Sequence, residues 1–368
     1  MRTIPRPVAF WLAFAVSLAA LVATSCDDAA SVTPPATRTT EGPPRPFAMG
    51  ISSLPVDLQE SSYVKAMDLA AEAGEIVLVK RAPPWEEFLP GGQVSGEIAA
   101  VTERERDLIR ERGLTLFFAI DPTDPADRGR LAGLPERWRG AGFAHPDIQH
   151  ALLAYSQYVV KNYRPRYLAV ATDINLYARI HPEDFSAFVD LYSVIYDAVK
   201  REAPGTEVFV TFQYEDLNGV LPTVEPHEAD WGLIERFGDR LDLLALSTYP
   251  SLAYQRVKAI PADYYSRLRT RSSLPLAIAE MGYSSGPGRR GLNAGTEPLQ
   301  EEFLRRVLLE AQALEMRFVI WLAGWDLTYA VGEPLDVFRY VGLRREDGSP
   351  KPAWDIWAQA ARRPLAPP

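Results

Sequence analysis

From Phe47 onward the chain alternates short, nearly continuous apolar runs with longer stretches whose apolar residues recur at helical spacing. The runs are Ala48–Ser53, Ile76–Arg81, Leu114–Asp121, Tyr167–Asp173, Glu207–Tyr214, Leu241–Tyr249, Leu274–Glu280 and Arg317–Trp325. Such runs, lacking the polar alternation of a half-exposed sheet, predict parallel strands covered on both faces. Helical spacing is clearest over Ala151–Tyr163, Phe185–Arg201 and Glu301–Glu315. His181-Pro182-Glu183-Asp184 puts proline and acids in a first turn, and Ala203-Pro204-Gly205 stops the same helix. Eight strand–helix units between 47 and 363 predict one α/β domain, a (β/α)8 TIM barrel. A doubly wound sheet would need a glycine-rich phosphate loop after its first strand. Here Gly50 leads into Ile-Ser-Ser-Leu-Pro.

The segment before the barrel has a different pattern. Arg2 and Arg6 precede an uncharged apolar run, Val8 to Ala23, which is short for a bilayer span but suits an export signal. Thr24-Ser25-Cys26 then resembles a bacterial lipobox, which implies cleavage after residue 25 and a lipid on Cys26. An ordinary secretory signal is the other reading. Residues 26–46 are rich in Pro, Thr and Ala without apolar periodicity and read as a tether. Residues 364–368 read as a tail. The expected product is an exported protein, held at the cell envelope by its lipid or secreted, touching the membrane only through its N-terminus.

Composition narrows the partners. With 47% hydrophobic and 24% charged residues the chain is ordinary globular material. Its net charge of −9 comes without a basic cluster, and this argues against nucleic acid. Removing residues 1–25 takes away Arg2 and Arg6 and leaves −11. One cysteine excludes an internal disulfide framework, and four scattered histidines give no metal spacing, so neither metal nor organic cofactor is expected.

In a barrel of this type, chemistry sits at the C-terminal strand ends. Those ends carry Arg81, Asp121, Asp173, Asn175, Gln213, Glu215, Tyr249, Glu280, Trp321, Trp325 and Asp326, with Lys80 the only lysine near a strand end. No serine nucleophile elbow accompanies them. Paired carboxylates with aromatic rings suit glycoside hydrolysis: one acid protonates the leaving oxygen, while the other attacks or stabilises the sugar cation. Aromatic faces pack against the apolar faces of sugar rings.

Several segments resemble glycoside hydrolase clan A. Leu274–Ser285 (LPLAIAEMGYSS) is similar to the clan's strand seven, whose Glu is the nucleophile. Leu241–Pro250 (LDLLALSTYP) resembles strand six, Phe318–Trp325 strand eight, and Val341–Trp357 (VGLRREDGSPKPAWDIW) the closing loop and last helix. The likeness runs from Phe47 to Arg363, nearest to family 53 endo-galactanases and family 5-like enzymes. It implies Glu280 as nucleophile, Tyr249 as its hydrogen-bonding partner and Trp321 as the sugar platform. Trp325, Asn175, Gln213 and Arg81 are further candidate substrate contacts, and the expected ligand is a carbohydrate.

Strand four departs from the clan. Its Asn-Glu pair is replaced within Ala171-Thr172-Asp173-Ile174-Asn175, where Asp173 falls on the acid/base position and Thr172 on the Asn position. The lost methylene withdraws the carboxyl by roughly 1–1.5 Å. Retaining enzymes hold their carboxyls about 5–5.5 Å apart, against about 6.5–9.5 Å in inverting ones. Two functions follow as expectations: a β-glycoside hydrolase using Glu280 and Asp173, or a catalytically weak or inactive carbohydrate-binding protein of the same fold. Glu215 and Asp216 read as solvated loop carboxylates, Asp121 and Asp124 as turn starters, and Trp85-Glu86-Glu87 as a folded loop or distal subsite. Glu103–Arg112 reads as a solvated helix face.

Overall fold

The computed structural model describes residues 42–222, 224–288, 294–332 and 335–367. The expected signal, Cys26 and all but the end of the tether lie outside them. Eight strands form the barrel: β1 Ala48–Ser52, β2 Ile76–Arg81, β3 Thr115–Ile120, β4 Tyr167–Ala169, β6 Leu244–Thr248, β7 Leu276–Met281 and β8 Phe318–Trp321, with β5 in two pieces, Glu207–Phe209 and Thr211–Gln213. All neighbours pair in parallel. β8 returns to β1, while the first piece of β5 pairs with β4 and the second with β6, so the ring closes through β5.

Outside the ring run α1 Glu60–Ala73, α2 Gly96–Glu111, α3 Pro146–Tyr163, α4 Pro182–Glu202, α5 Glu297–Ala313 and α6 Pro352–Arg362. Their entries follow from sequence: Ser95 caps α2 by accepting from Ile98 N at 3.2 Å, and α3, α4 and α6 begin on proline. The expectation of eight strand–helix units is corrected at two places. β5 is followed only by the short helices Tyr214–Leu217 and Gly232–Glu235, and β6 only by 3-10 turns. Prolines at 222, 226, 250 and 261 deny both connections a long helix.

Rings from four strands, Phe117, Tyr167, Phe209 and Phe318, pack together inside the barrel with centroids 4.7–6.5 Å apart. Above them the inward residues become small: Ala119, Thr211, Ser247 and Ala279. This change of volume leaves a hollow at the upper end.

At the lower end both termini of the domain are fastened. Arg45 donates its backbone N–H to Pro364 O and accepts from Ala366 N, at 2.9 and 2.8 Å. Its fully buried guanidinium pairs with Glu75 and donates to Phe47 O at 2.5 Å. The domain therefore includes the end of the expected tether and part of the expected tail, because a buried cation needs its partner to stay in place.

Candidate active site

Glu280 owes its aim to an irregularity in β7. Ile278 lies opposite Leu246 of β6, yet Glu280 lies opposite the very next residue, Ser247. Ala279 is thus an extra residue, a bulge of the kind that redirects a side chain at a barrel rim. Ala279 and Glu280 consequently both line the hollow.

Two donors clasp the Glu280 carboxylate. The Tyr249 hydroxyl, at the end of β6, donates to Oε1 at 2.5 Å, and Lys80 Nζ, on β2, donates to Oε2 at 2.5 Å. Burial, followed by the neighbouring Glu280 charge, pushes the Tyr249 phenol well above its ordinary value, so it remains a donor. Burial works to lower the Lys80 ammonium, but Glu280 and Asp121 more than offset it and the net direction is up. Lys80 is a fixed positive charge against Glu280.

Asp173 faces the same hollow from the turn that follows β4. It sits at φ 51°, in the left-handed region that Asp tolerates, where the chain turns into the short helix Ile174–Ile180. Its side chain does not cap that helix. Oδ1 instead accepts from the Ser247 hydroxyl, and Oδ2 accepts from Arg128 Nη2 at 3.2 Å. Burial raises the Asp173 carboxyl above the usual aspartate range, against the opposing pull of Arg128. A raised carboxyl is what a proton donor requires.

Arg128 arrives on a hairpin, Thr123–Asp124 with Asp127–Leu131, inserted after β3. Its Nη1 donates to Asp121 Oδ1 at 2.6 Å and to Thr123 Oγ1 at 3.0 Å. Asp121 is therefore an anchor for Arg128 as well as a turn residue. The hairpin is itself held by His181, whose Nε2 lies 2.7 Å from Gly129 O. Between Lys80, Asp173, Glu280 and their neighbours the hollow has a volume of about 10 Å³, room for one water.

Other expected contacts are not brought together there. Arg81 follows Lys80 on β2 and so points to the opposite face, where it pairs with Glu105 at 2.6 Å and meets the Tyr63 hydroxyl at 3.2 Å. That pairing buries Glu105, correcting the fully solvated reading of 103–112. Asn175 donates to Gln213 O and to Asp216 Oδ2, at 3.0 and 2.6 Å, and accepts from Gln213 N at 2.8 Å. Gln213 in turn caps Asp216 N at 2.6 Å and donates to Glu215 at 2.5 Å. These four residues bolt the end of β4 to the end of β5. Glu215 and Asp216 are wholly buried, so the solvated reading fails for both.

Trp321 is also corrected. Phe318 points into the barrel, and alternation along β8 sends Trp321 outward, where it is fully buried against Phe303 and Trp357 with Nε1 donating to Val341 O at 2.7 Å. Trp325 lies beside Gly348 of the closing loop, its backbone bridged to Arg344, and does not line the hollow. Trp85 is buried with Nε1 on Ala132 O, so it is no distal subsite. Phe338, half-buried, packs edge-on to Tyr249 at 5.0 Å and is thus one contact removed from Glu280. Sequence reasoning missed Phe338, Arg128 and Ser247. Only Ser247 had a signal, since it stands two residues before Tyr249 on one strand.

No protein-family model matches the sequence, and no curated protein matches it. Solved structures do. A glycoside hydrolase family 5 subfamily 18 variant from Bifidobacterium longum, in complex with Manβ1-4GlcNAc, is 16% identical with a TM-score of 0.64, over 87% of this chain and 80% of that one. An exo-β-1,4-mannosidase from Opitutaceae bacterium strain TAV5 is 14% identical with a TM-score of 0.64, over 89% of this chain and 61% of that one. The family 53 catalytic domain from Ignisphaera aggregans is 14% identical with a TM-score of 0.58, over 88% of this chain and 98% of that one. At these identities the likeness is one of fold, and that fold is the TIM barrel expected from the alternation of strands and helices.

Proposed function

We propose that this protein hydrolyses β-glycosides by double displacement, with Glu280 as nucleophile and Asp173 as a restrained proton donor. The observation that supports this most is the Glu280 carboxylate held between Tyr249 and Lys80 across a hollow from Asp173. In the first step Glu280 forms a bond to the sugar's anomeric carbon, the glycosidic C–O bond breaks, and Asp173 passes its proton to the departing oxygen. Water then cleaves the glycosyl ester, returning its proton to Asp173. Tyr249 and Lys80 hold the Glu280 carboxylate in place.

The test uses aryl β-glycosides, β-mannosides first because that linkage is the one named for the structural neighbours, with wild type, Glu280→Gln and Asp173→Asn. A good leaving group needs little acid help. Turnover of activated aryl substrates is therefore expected in wild type and in Asp173→Asn, and lost in Glu280→Gln. Turnover that survives Glu280→Gln overturns the assignment. The Arg128–Asp173 ion pair favours the second reading, a barrel that binds carbohydrate without turnover. Saccharide binding with no hydrolysis of even activated substrates would select it. Under either reading, an export signal ending in a lipidated Cys26 would place the protein at the envelope; the mass of the mature N-terminus tests this.

A further inference from the structure

A second cavity, of about 320 Å³, opens at the opposite end of the barrel, and nothing in the glycoside reading uses it. Arg106 and Arg110 from the end of α2 and Arg164 and Arg166 from the turn into β4 line it, over a floor of Ile109, Leu114, Leu116 and Tyr163. Asp107 is shared between Arg106 and Arg110, at 3.5 and 3.1 Å. Glu207 is shared between Arg166 and Arg317, at 2.5 and 2.8 Å. Glu103 is a further partner of Arg106, at 3.7 Å. Carboxylates are thus outnumbered in the cluster, and the exposed Arg164 guanidinium has no ion-pair partner among the described residues.

We propose that this cavity binds the headgroup of an anionic phospholipid. Guanidinium forks match phosphate oxygens, and the apolar floor suits the glycerol and upper acyl carbons, which a bare ion would leave uncovered. A volume of this size fits a small molecule. Its position supplies the partner. Thr115, on the cavity wall, donates to Glu75 O at 2.8 Å, and Glu75 holds Arg45, so the cavity shares the end where the chain enters the domain. A lipid on Cys26 would bring that end to a bilayer. With −11 on the mature chain, an anionic surface repels the body as a whole, and a local cationic cavity decides which face approaches.

The test is amide hydrogen exchange on the full exported chain with phosphatidylcholine vesicles, with the same vesicles containing phosphatidylglycerol, and with phosphatidylcholine vesicles plus free glycerol phosphate. Exchange across 106–116 and 163–166 is expected to slow several-fold only with phosphatidylglycerol. Arg110→Glu with Arg164→Glu is expected to abolish that slowing at an unchanged melting temperature. Equal exchange with both vesicles, or slowing that persists in the double variant, overturns the proposal. Equal slowing by free glycerol phosphate also overturns it, assigning the cavity to a soluble phosphate ester. An unacylated Cys26 leaves the comparison intact, because it is made between headgroups.

Discussion

Arg128 stands 3.2 Å from the Asp173 carboxylate, so the group proposed as proton donor is held in an ion pair by a hairpin the sequence pattern did not announce. Burial and Arg128 act on Asp173 in opposite directions, and burial prevails. The guanidinium therefore limits how far the carboxyl rises. Both groups are mostly shielded from solvent, so screening by salt is weak.

Arg128→Gln removes that restraint. The Asp173 carboxyl then rises further and stays protonated to higher pH. The basic limb of kcat/KM for an unactivated β-glycoside is expected to move up by about one pH unit or more, the size of a carboxylate–arginine interaction. The same change clears space beside Thr172. The pH–rate profiles of wild type and Arg128→Gln measure this, and an unmoved basic limb would remove Asp173 from the donor role.

Two aromatic substitutions separate core from subsite. Trp321→Ala empties a fully buried site against Phe303 and Trp357 and strands the Val341 carbonyl. A loss of about 3–5 kcal/mol in unfolding free energy is expected. Phe338→Ala removes a half-buried ring packed on Tyr249 and is expected to leave the melting temperature within a few degrees while raising KM several-fold. Denaturation midpoints and KM for both variants decide the matter; the reverse pattern would restore Trp321 as the platform.

Fold and site were not equally legible. Continuous apolar runs marked all eight strands, because parallel strands buried on both faces tolerate little else. The Glu280–Tyr249 contact followed from a motif resemblance, whereas the bulge that makes it, with Ala279 as the extra residue, leaves no trace in an apolar run. Arg81 and Trp321 were misplaced for one reason. Standing at a strand end does not decide which face a side chain takes, and alternation sends each of them outward while Lys80 points in. Arg128 lies in Asp-Arg-Gly-Arg, a sequence that reads as an ordinary turn, and only the closed barrel shows which carboxylates it reaches.

Lys351 and Asp326 form an almost wholly buried pair, 2.6 Å apart, between the β8 loop and the start of α6. Lys351 also donates to Ser285 Oγ at 2.7 Å and to Gly342 O at 2.9 Å, tying the loops after β7 and β8 together. Burial pulls the Lys351 ammonium down and pushes the Asp326 carboxyl up, so each depends on the other to stay ionised. Lys351→Met strands a buried carboxylate and is expected to cost about 3–5 kcal/mol. Lys351→Met with Asp326→Leu is expected to cost less than the single change. Chemical denaturation of the single and double variants checks this, and strict additivity would contradict it.

Glu215 is a buried carboxylate satisfied by donors other than ion-pair partners. Oε1 accepts from the Thr248 and Tyr264 hydroxyls, at 2.7 and 2.8 Å, and Oε2 accepts from Gln213 Nε2 and Tyr249 N, at 2.5 and 3.0 Å. Glu215→Gln preserves this pattern: its oxygen takes the two N–H donors, and its amide donates to hydroxyls that rotate to accept. A change within about 1 kcal/mol is expected, whereas Glu215→Ala leaves four donors unmet and costs at least about 3 kcal/mol. Burial raises the Glu215 carboxyl, with the hydrogen bonds opposing. The folded protein therefore holds a proton over a range, beginning near pH 4, in which the unfolded chain has released it, and stability falls as pH rises through that range. Glu215→Gln has no such proton to lose. Its stability relative to wild type is expected to climb with pH across that window and then level off, which denaturation at a series of pH values measures. A difference independent of pH would show that Glu215 keeps its ordinary affinity for the proton.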